Sequence, residues 1–367
     1  MFKLHMIQAQ FGDSVVLEFG TAGNSRYVLI DGGPHGNFDA DLAAALTDIV
    51  GKGGTLDLVV LSHIDNDHIV GVVDLFAALE EDEANSDPRR VNIGGLWHNS
   101  FTRTLDPHGH IQQGIQSMMN LAGSSGFAMP LAADAFFGVR EGNRLRVLAR
   151  KLDVAVNKGF ADDLILLETA KNPLRLGPLT LTIAGPNRAN LRKLQKEWLE
   201  WLAKAGAQVG QDPSTAAMAD KSVPNLSSIV IHVESGGKTI LLTGDARGDF
   251  ILDGLNKAKL TTNGKLHVDV LKVPHHGSDR NATRKFFAAI TADTYAISAN
   301  GRDGNPDYAT LTWIVETAQA AGRTIKIVVT NTTDSTTKLM NTHKPNVYNY
   351  ELLAKPADRH SIAVALD

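Results

Sequence analysis

The stretch Leu61-Ser62-His63-Ile64-Asp65-Asn66-Asp67-His68 brings four metal-binding side chains together within six residues. It follows the apolar run 56–61, which predicts a buried strand, and it precedes Gly71 and an apolar segment with the pattern of a helix. Imidazoles and carboxylates crowded at a strand end desolvate and repel one another unless a cation compensates them. Nitrogen and oxygen donors of this kind suit zinc or manganese. The stretch therefore predicts a metal site, the alternative being a solvated polar loop.

The composition restricts the chemistry of that site. The chain of 367 residues has a formal net charge of −4 and therefore lacks the global basic field typical of nucleic-acid-binding proteins. It contains no cysteine, so any metal must bind to histidine and carboxylate side chains. No signal-peptide pattern opens the chain, and no apolar run approaches the length of a membrane span. We therefore expect a soluble cytoplasmic protein that has no membrane contact, of unknown oligomeric state.

Alternating strand and helix patterns predict an α/β fold. Strands are predicted at residues 2–7, 14–19, 26–31, 56–61, 179–184, 228–233, 239–243, 268–273, 294–298 and 325–330. Helices are predicted at residues 39–50, 111–121, 187–204, 284–290 and 310–321. Clusters of strands with interposed helices at both ends of the chain predict two sheets sandwiched between helical layers.

Two further predicted strands end in residues that can bind a metal. One leads into Thr243-Gly244-Asp245, and the other leads into Pro274-His275-His276-Gly277-Ser278. Taken alone, a Gly-Asp turn usually caps a helix or closes a hairpin, and a histidine at a strand end is usually a surface residue. Three strands that each end in histidine or aspartate favour one joint metal site.

With these motifs the chain resembles the metallo-β-lactamase superfamily. Within that superfamily it is most similar to the hydrolase domain of the bacterial DNA-uptake competence channel and to the stand-alone relatives of that domain. The usual motif is His-x-His-x-Asp-His, and Asp65 in place of the second histidine matches the competence-type variant. The other matching segments are residues 10–14, 31–33, 225–228, 243–245 and 275–278. The resemblance covers about residues 1–80 and 222–330 and implies a four-layer αββα sandwich.

The resemblance also implies a set of ligands for two metal ions. His63 and Asp65 would bind the first ion. Asp67, His68 and one of the adjacent pair His275 and His276 would bind the second. Asp245 would bridge the two ions.

The first ion is expected to be bound more weakly. Asn225 stands where the superfamily has a third histidine ligand, and a carboxamide is a far weaker ligand than an imidazole. Substrate oxygens, or His98 as a replacement ligand, would then complete the site. Asp31 is expected to orient a ligand imidazole, and Ser278 and Asn225 are expected to contact the ligands or the substrate.

The predicted function is that of a metal-dependent hydrolase, specifically a phosphodiesterase or nuclease that uses a metal-activated hydroxide, with Asp67 and His276 as catalytic residues. The cofactor would be one or two Zn²⁺ ions, with Mn²⁺ as the alternative, and the substrate a phosphodiester such as nucleic acid. Two alternatives stay open. One is hydrolysis of a carboxyl ester, lactone or amide at the same site, and the other is a non-catalytic regulatory or defence-associated module.

We expect one domain over residues 1–367, with residues 98–224 as a partly inserted helical and loop region. Five basic residues in this region could form a surface for an anionic substrate or could equally be a solvated helix face. They are Arg144, Arg146, Arg150, Lys151 and Lys158. Residues 212–224 have the composition of a loop that could act as a lid.

Overall fold

A computed structural model of the chain describes residues 1–106, 108–125, 130–209 and 227–367. The predictions made for Asn225 and for the loop 212–224 lie outside these described residues.

The first sheet has six strands within the described residues, in the order β16-β1-β2-β3-β5-β7. Neighbouring strands from β16 to β3 run antiparallel, whereas β3, β5 and β7 run parallel. A separate two-stranded ladder pairs β4 (Thr55–Leu56) with β6 (Asn92–Ile93). The strands of the first sheet are β1 (Phe2–Ile7), β2 (Val15–Thr21), β3 (Asn24–Ile30), β5 (Leu58–Leu61), β7 (Leu96–His98) and β16 (Ser361–Ala365).

The second sheet has eight strands within the described residues, in the order β15-β14-β13-β12-β11-β10-β9-β8. Strands β11 to β15 run parallel, and β8 to β11 run antiparallel. The strands are β8 (Leu174–Leu176), β9 (Leu179–Gly185), β10 (Val230–Ser235), β11 (Lys238–Leu242), β12 (Leu266–Lys272), β13 (Ile290–Ile297), β14 (Ile325–Val329) and β15 (Tyr350–Ala354).

Helices cover the outer faces of the two sheets. In chain order they are α1 (Ala43–Ile49), α2 (Asn66–Ala84), α3 (Phe101–Thr104), α4 (His110–Ser125), α5 (Pro130–Lys151), α6 (Arg188–Val209), α7 (Gly248–Lys257), α8 (Arg284–Ala289), α9 (Tyr308–Ala320), α10 (Asp334–Thr342) and α11 (Pro345–Tyr348). A single π-helical turn, Phe38–Leu42, leads into α1. None of the helices in the described ranges is both long and apolar enough to span a membrane.

The alternation of side chains along β2 shows how the layers are packed. Val15, Leu17 and Phe19 point into a core that they share with second-sheet residues such as Ile231. Val16 points to the opposite face, into a core shared with α2. A third core lies between the second sheet and the helices on its outer side. Three cores separate four layers, which confirms the predicted αββα sandwich.

The parallel strands bring the predicted ligands to one edge of the sandwich. Strands β3 and β5 are parallel neighbours and therefore end at the same edge of the first sheet. Asp31 directly follows β3, and the motif that begins at Ser62 directly follows β5. In the second sheet, the loops after β11, β12 and β13 likewise leave from the same edge. The backbone N–H of Ile229 donates to the carbonyl oxygen of Ser62 at 2.9 Å and joins the two sheets at this edge.

A close backbone contact fixes the start of α2 against the loop after β3. A Cβ atom on Gly71 would lie 2.0 Å from the carbonyl oxygen of Gly32, so only glycine fits at this point of the helix. The backbone N–H of Gly32 also donates to the carbonyl oxygen of His68 at 2.9 Å. Helix α2 therefore carries His68 to within reach of Asp31.

Candidate metal site

Four buried side chains offer donor atoms that all lie within 4.8 Å of one another: Asp13, His68, Asp245 and His276. They come from four separate segments, which precede β2, begin α2, follow β11 and follow β12. Each is no more than 3% exposed. The sequence motifs of the two sheets therefore converge on one buried cluster.

The turn after β5 supplies the ligands predicted for the first ion. Asp65 is the N-cap of α2, yet its side chain forms no capping hydrogen bond and is thus available for a cation. His63 Nε2 lies 3.5 Å from Asp65 Oδ2 and 3.9 Å from Asp245 Oδ2. The structure thus brings these three predicted residues together.

The carboxylate of Asp245 is the centre of the site. Its Oδ1 lies 3.4 Å from His68 Nε2, and its Oδ2 lies 3.5 Å from His276 Nε2 and 3.7 Å from His275 Nε2. With His63, four imidazoles of the described chain face this one carboxylate through their Nε2 atoms. Asp67 closes the arrangement, since its Oδ2 lies 3.3 Å from His276 Nε2 and 3.9 Å from His68 Nε2.

The turn after β12 has an unusual backbone that places two adjacent imidazoles at the same carboxylate. His275, His276 and Gly277 have φ values of 50°, 54° and 84°, all in the left-handed region. Such a conformation costs a non-glycine residue on the order of 1 kcal/mol. The backbone N–H of His275 donates to the carbonyl oxygen of Gly244 at 3.2 Å and ties this turn to the Asp245 loop. Strain at this point is compensated by the surrounding contacts and is typical of functional sites.

A hydrogen bond at Nδ1 orients each of the four imidazoles. The partners are Ser62 Oγ for His63 (3.0 Å), Asp31 Oδ2 for His68 (2.9 Å), Asn281 Oδ1 for His275 (2.7 Å) and the Ser298 carbonyl oxygen for His276 (3.1 Å). These oxygens accept from Nδ1–H, which leaves the Nε2 lone pair free, as a metal ligand requires.

The Nε2 atoms of His63, His68 and His276 have no hydrogen-bond partner within the described residues. A buried polar atom without a partner is costly, and a cation at Asp245 would supply the missing interaction. These orphaned nitrogens are therefore independent evidence that the residues fit a metal.

The electrostatic interactions within the cluster also favour the binding of a cation. Burial raises the pKa of Asp245, but the imidazoles of His276 and His68 outweigh burial and hold this pKa well below its usual value. Burial lowers the pKa of His68, but Asp245, Asp67 and Asp31 outweigh it and raise this pKa well above its usual value. The carboxylates of the cluster are thus compensated either by protons on the imidazoles or by a metal cation.

The donor spacing is suitable for a divalent cation. Tetrahedral zinc with bonds of about 2.0–2.1 Å keeps its ligand atoms about 3.3–3.4 Å apart. The Nε2 atoms of His68 and His276 lie 3.3 to 3.9 Å from carboxylate oxygens of Asp67 and Asp245. Small adjustments of the side chains would close them around one ion.

Asp13 belongs to this cluster, although it was not among the predicted ligands. Asp13 Oδ1 lies 3.4 Å from His276 Nδ1, and Asp13 Oδ2 accepts a hydrogen bond from Lys272 Nζ at 2.5 Å. Both partners of this ion pair are only 3% exposed at their side chains. Lys272 stands between the apolar pair Val270-Leu271 and Val273, and this was the available signal, since a buried ammonium group needs a buried anion.

The remaining predicted residues lie as follows. Asp31 accepts from Ser62 N at 2.7 Å and from His68 Nδ1, as expected of a residue that orients an imidazole. Ser278 is buried in the turn, where its N–H donates to the His275 carbonyl oxygen at 2.8 Å. His98 is not a member of the cluster. It lies beneath α5 against Gly142, and burial lowers its pKa to about 3.

The basic residues around α5 are largely paired. Arg146 binds Asp163, Arg144 lies 3.4 Å from Glu141, and Lys151 binds Glu80. Such pairs leave less positive charge available to an incoming anion than the sequence suggested.

Comparison with known families identifies the part of the chain that carries the metal motif. A family model described as the metallo-beta-lactamase superfamily matches residues 8–116, which include Asp13, Asp31 and the segment from His63 to His68. This part of the chain is similar to the metallo-β-lactamase superfamily. None of the curated proteins matches the chain. The narrower likeness to the competence-channel hydrolase stays a prediction.

Two solved structures are also similar to the chain, although at low identity. One is the metallo-beta-lactamase fold protein YhfI from Bacillus subtilis, with 10% identity, 99% of each chain covered and a TM-score of 0.39. The other is the metallo-beta-lactamase SMB-1 bound to 2-mercaptoethanesulfonate, with 12% identity, 87% of this chain and 97% of that chain covered and a TM-score of 0.31. The family match and the buried cluster together support the coarse description of a metallo-β-lactamase superfamily hydrolase with a candidate metal site.

Proposed function

We propose that the chain is a metal-dependent phosphodiesterase that binds two divalent ions, Zn²⁺ or Mn²⁺, on either side of Asp245. The observation that carries this proposal is the single buried carboxylate of Asp245, which four imidazole Nε2 atoms face at 3.4 to 3.9 Å. A carboxylate whose two oxygens can each bind a metal ion can bridge a two-metal site.

We assign the ligands to two positions that share Asp245. The first position comprises His63 and Asp65, and the second position comprises Asp67, His68 and His276. His276 rather than His275 is assigned as the ligand because it is buried and lies 3.3 Å from Asp67 Oδ2. His275 remains as the spare imidazole, with a side chain that is 19% exposed.

When bound, the two ions would lower the pKa of a water molecule and polarise the phosphate oxygens of the substrate. Asp67 would accept a hydrogen bond from the attacking water and orient it toward phosphorus. His275, whose Nδ1–H donates to Asn281, would act in its doubly protonated form: it would donate the Nε2 proton to the leaving oxygen and become the neutral Nδ1–H imidazole. Asp31 and Ser298 would keep the ligand imidazoles fixed during the reaction.

Two features support a phosphodiester, and a small one, as the substrate. The site is rich in carboxylates, and oxygen ligands favour the hard cations that coordinate phosphate well. The chain is acidic overall, and Arg144, Arg146 and Lys151 are engaged in ion pairs, which gives little support for a long groove for DNA.

A substrate screen tests the proposal. Metal-stripped protein would be reloaded with Mn²⁺ or Zn²⁺ and assayed on bis-p-nitrophenyl phosphate, p-nitrophenyl acetate and a simple lactone. We expect metal-dependent turnover of the diester. Activity on the lactone or acetate with an inert diester would support the ester or lactone alternative instead. Metal binding with no hydrolysis of any substrate would favour the non-catalytic module.

A further inference from the structure

The loop after β13 holds an arginine against an aromatic ring at the edge of the sandwich that carries the metal ligands. The guanidinium carbon of Arg302 lies 3.9 Å from the ring centroid of Phe11. Phe11 stands two residues before Asp13, a member of the buried cluster. Arg302 has no part in the metal chemistry described above.

The loop that carries Arg302 is fixed by its own hydrogen bonds. The N–H of Gly301 donates to the Asn305 carbonyl oxygen at 3.0 Å, and the N–H of Arg302 donates to Asn300 Oδ1 at 3.0 Å. A 3₁₀ turn spans Arg302–Gly304. The arginine therefore projects from a closed turn and not from an open chain segment, which lowers the entropy cost of using it to bind a ligand.

Two contacts attach this loop to the metal site. At its far end, a Cβ atom on Gly277 would lie 2.7 Å from Pro306 Cβ, and the N–H of Asp307 donates to the Gly277 carbonyl oxygen at 3.0 Å. At its near end, Ser298 Oγ donates to the carbonyl oxygen of Gly12 at 2.7 Å. The loop thus touches the turn that bears His276 and the segment that bears Asp13.

The guanidinium is available to an anion. Its side chain is 56% exposed, and the nearest carboxylate of the described residues, Asp303 Oδ2, lies 3.7 Å from Nε, beyond hydrogen-bond distance. Stacking on a ring uses the face of the guanidinium and leaves the N–H groups along its edge free. Those groups match two oxygens of a phosphate.

We propose that Arg302, stacked on Phe11, is a substrate-binding residue that holds a phosphate oxygen of the phosphodiester at the mouth of the metal site. This inference rests on the proposed phosphodiesterase function and adds a determinant of specificity to it. Phe11 acts as a positioning residue, because its ring fixes the plane of the guanidinium. Neutral esters would gain nothing from the arginine.

The test compares Arg302→Gln and Arg302→Lys with Arg175→Gln, a matched exposed arginine on the edge strand β8. Each protein would be checked for unchanged metal content and melting temperature. Two measurements follow: kcat and KM on bis-p-nitrophenyl phosphate with Mn²⁺, and calorimetric binding of diphenyl phosphate. Phe11→Leu serves as a second variant that keeps the charge and removes the ring.

For Arg302→Gln we expect KM and the diphenyl phosphate Kd to rise about tenfold, the loss typical of a charge-assisted hydrogen bond, with kcat nearly unchanged. Arg302→Lys should recover part of this loss, Phe11→Leu should show a smaller rise, and Arg175→Gln should behave like wild type. Wild-type KM and Kd in Arg302→Gln, with the diester still hydrolysed, would overturn the role of Arg302 and leave the phosphodiesterase standing. A wild-type protein that neither binds nor hydrolyses diesters would overturn both.

Discussion

The two sides of Asp245 differ in how many ligands the described chain provides. The second position has Asp67, His68 and His276, which lie 3.3 to 3.9 Å from one another or from Asp245. The first position has His63 and Asp65, and Asn225 lies outside the described residues. In the proposed assignment, Asp245 would therefore serve one position with three further ligands and another position with two. We infer that the second position binds metal more tightly and that the first is where the substrate can complete the coordination.

Removing a ligand of the second position should have the largest effect. His68→Ala or Asp67→Asn is expected to reduce diester hydrolysis by at least about a thousandfold, because the ion that activates water would be lost. The sheets should remain folded, since these side chains belong to none of the three apolar cores. Steady-state assays and circular dichroism measure the two effects.

The matched control for His68→Ala is His267→Ala, which removes an exposed imidazole at the beginning of β12. It should keep wild-type turnover. A His68→Ala protein that retains more than about a tenth of wild-type activity would contradict the assignment of the second position, since loss of one ligand should leave that ion unbound.

Substitution of Asp31, which orients a ligand of the second position, should have an intermediate effect on metal binding. Asp31→Asn keeps the size of the side chain but replaces an oxygen that accepts from His68 Nδ1 and Ser62. Loss of such a supporting bond typically costs about 10- to 100-fold in metal affinity. Competition with a fluorescent chelator would measure the change. An equal fall in metal affinity at both positions would contradict the assignment of Asp31 to the second position alone.

The difference between the two positions should appear directly in metal titration. Calorimetry on metal-stripped protein is expected to show two classes of site whose affinities differ by at least about tenfold, because the first position has fewer ligands and Asp65 is partly exposed. Two equally tight sites would contradict the comparison.

The pH dependence of stability gives a further test that requires no turnover. The pKa values of His68 and His276 lie well above the usual value of 6.5 in the folded chain, so the metal-free fold gains stability from both imidazolium groups below about pH 6.5. That gain in stability is lost as the pH rises from 6.5 through the raised pKa values of the two imidazoles. The melting temperature of the metal-free protein should therefore fall as the pH rises above about 6.5, whereas the increment that zinc adds to the melting temperature should grow, since metal and protons compete for the same nitrogens. A zinc increment that shrinks with rising pH would contradict this account.

The smallest effect is expected from the basic residues near α5. Neutralising Arg146, Arg150 and Lys151 together should leave KM for a small diester within about twofold of wild type, because paired surface charges steer a small ligand only weakly. A nucleic-acid substrate would make this variant informative, since loss of phosphate contacts would flatten the salt dependence of KM. If the triple variant hydrolyses polynucleotide normally, these basic residues do not bind the substrate.

Much of the fold could be predicted from the sequence because its central strands are long and apolar. The strand predicted at residues 2–7 coincides with β1, and the one predicted at 179–184 with most of β9. Short edge strands were missed. β16 runs only from Ser361 to Ala365 and is recognisable chiefly through its pairing with β1. Helices α7 and α10 were also missed. Helix α7 begins just after the Asp245 motif and buries Phe250, Ile251 and Leu255, so its apolar pattern could have been recognised. Helix α10 buries only Thr336 and Leu339 and has no such pattern.

The metal motifs could be predicted because imidazoles and carboxylates at strand ends have few structural roles. What could not be predicted is contact between residues distant in sequence. The bond between Lys272 and Asp13 spans 259 positions, and the stacking of Arg302 on Phe11 also joins opposite ends of the chain. No local pattern encodes such contacts. They follow from the packing of the two sheets, which brings the segment before β2 beneath the loops after β12 and β13.

The most direct test of the central claim is an anomalous-diffraction map from crystals soaked in Zn²⁺ or Mn²⁺. We predict two peaks about 3.5–4 Å apart, one on each side of the Asp245 carboxylate, with the higher occupancy at the position formed by Asp67, His68 and His276. A single peak bound by other residues, or full occupancy at His63 and Asp65 with none at the second position, would contradict the account.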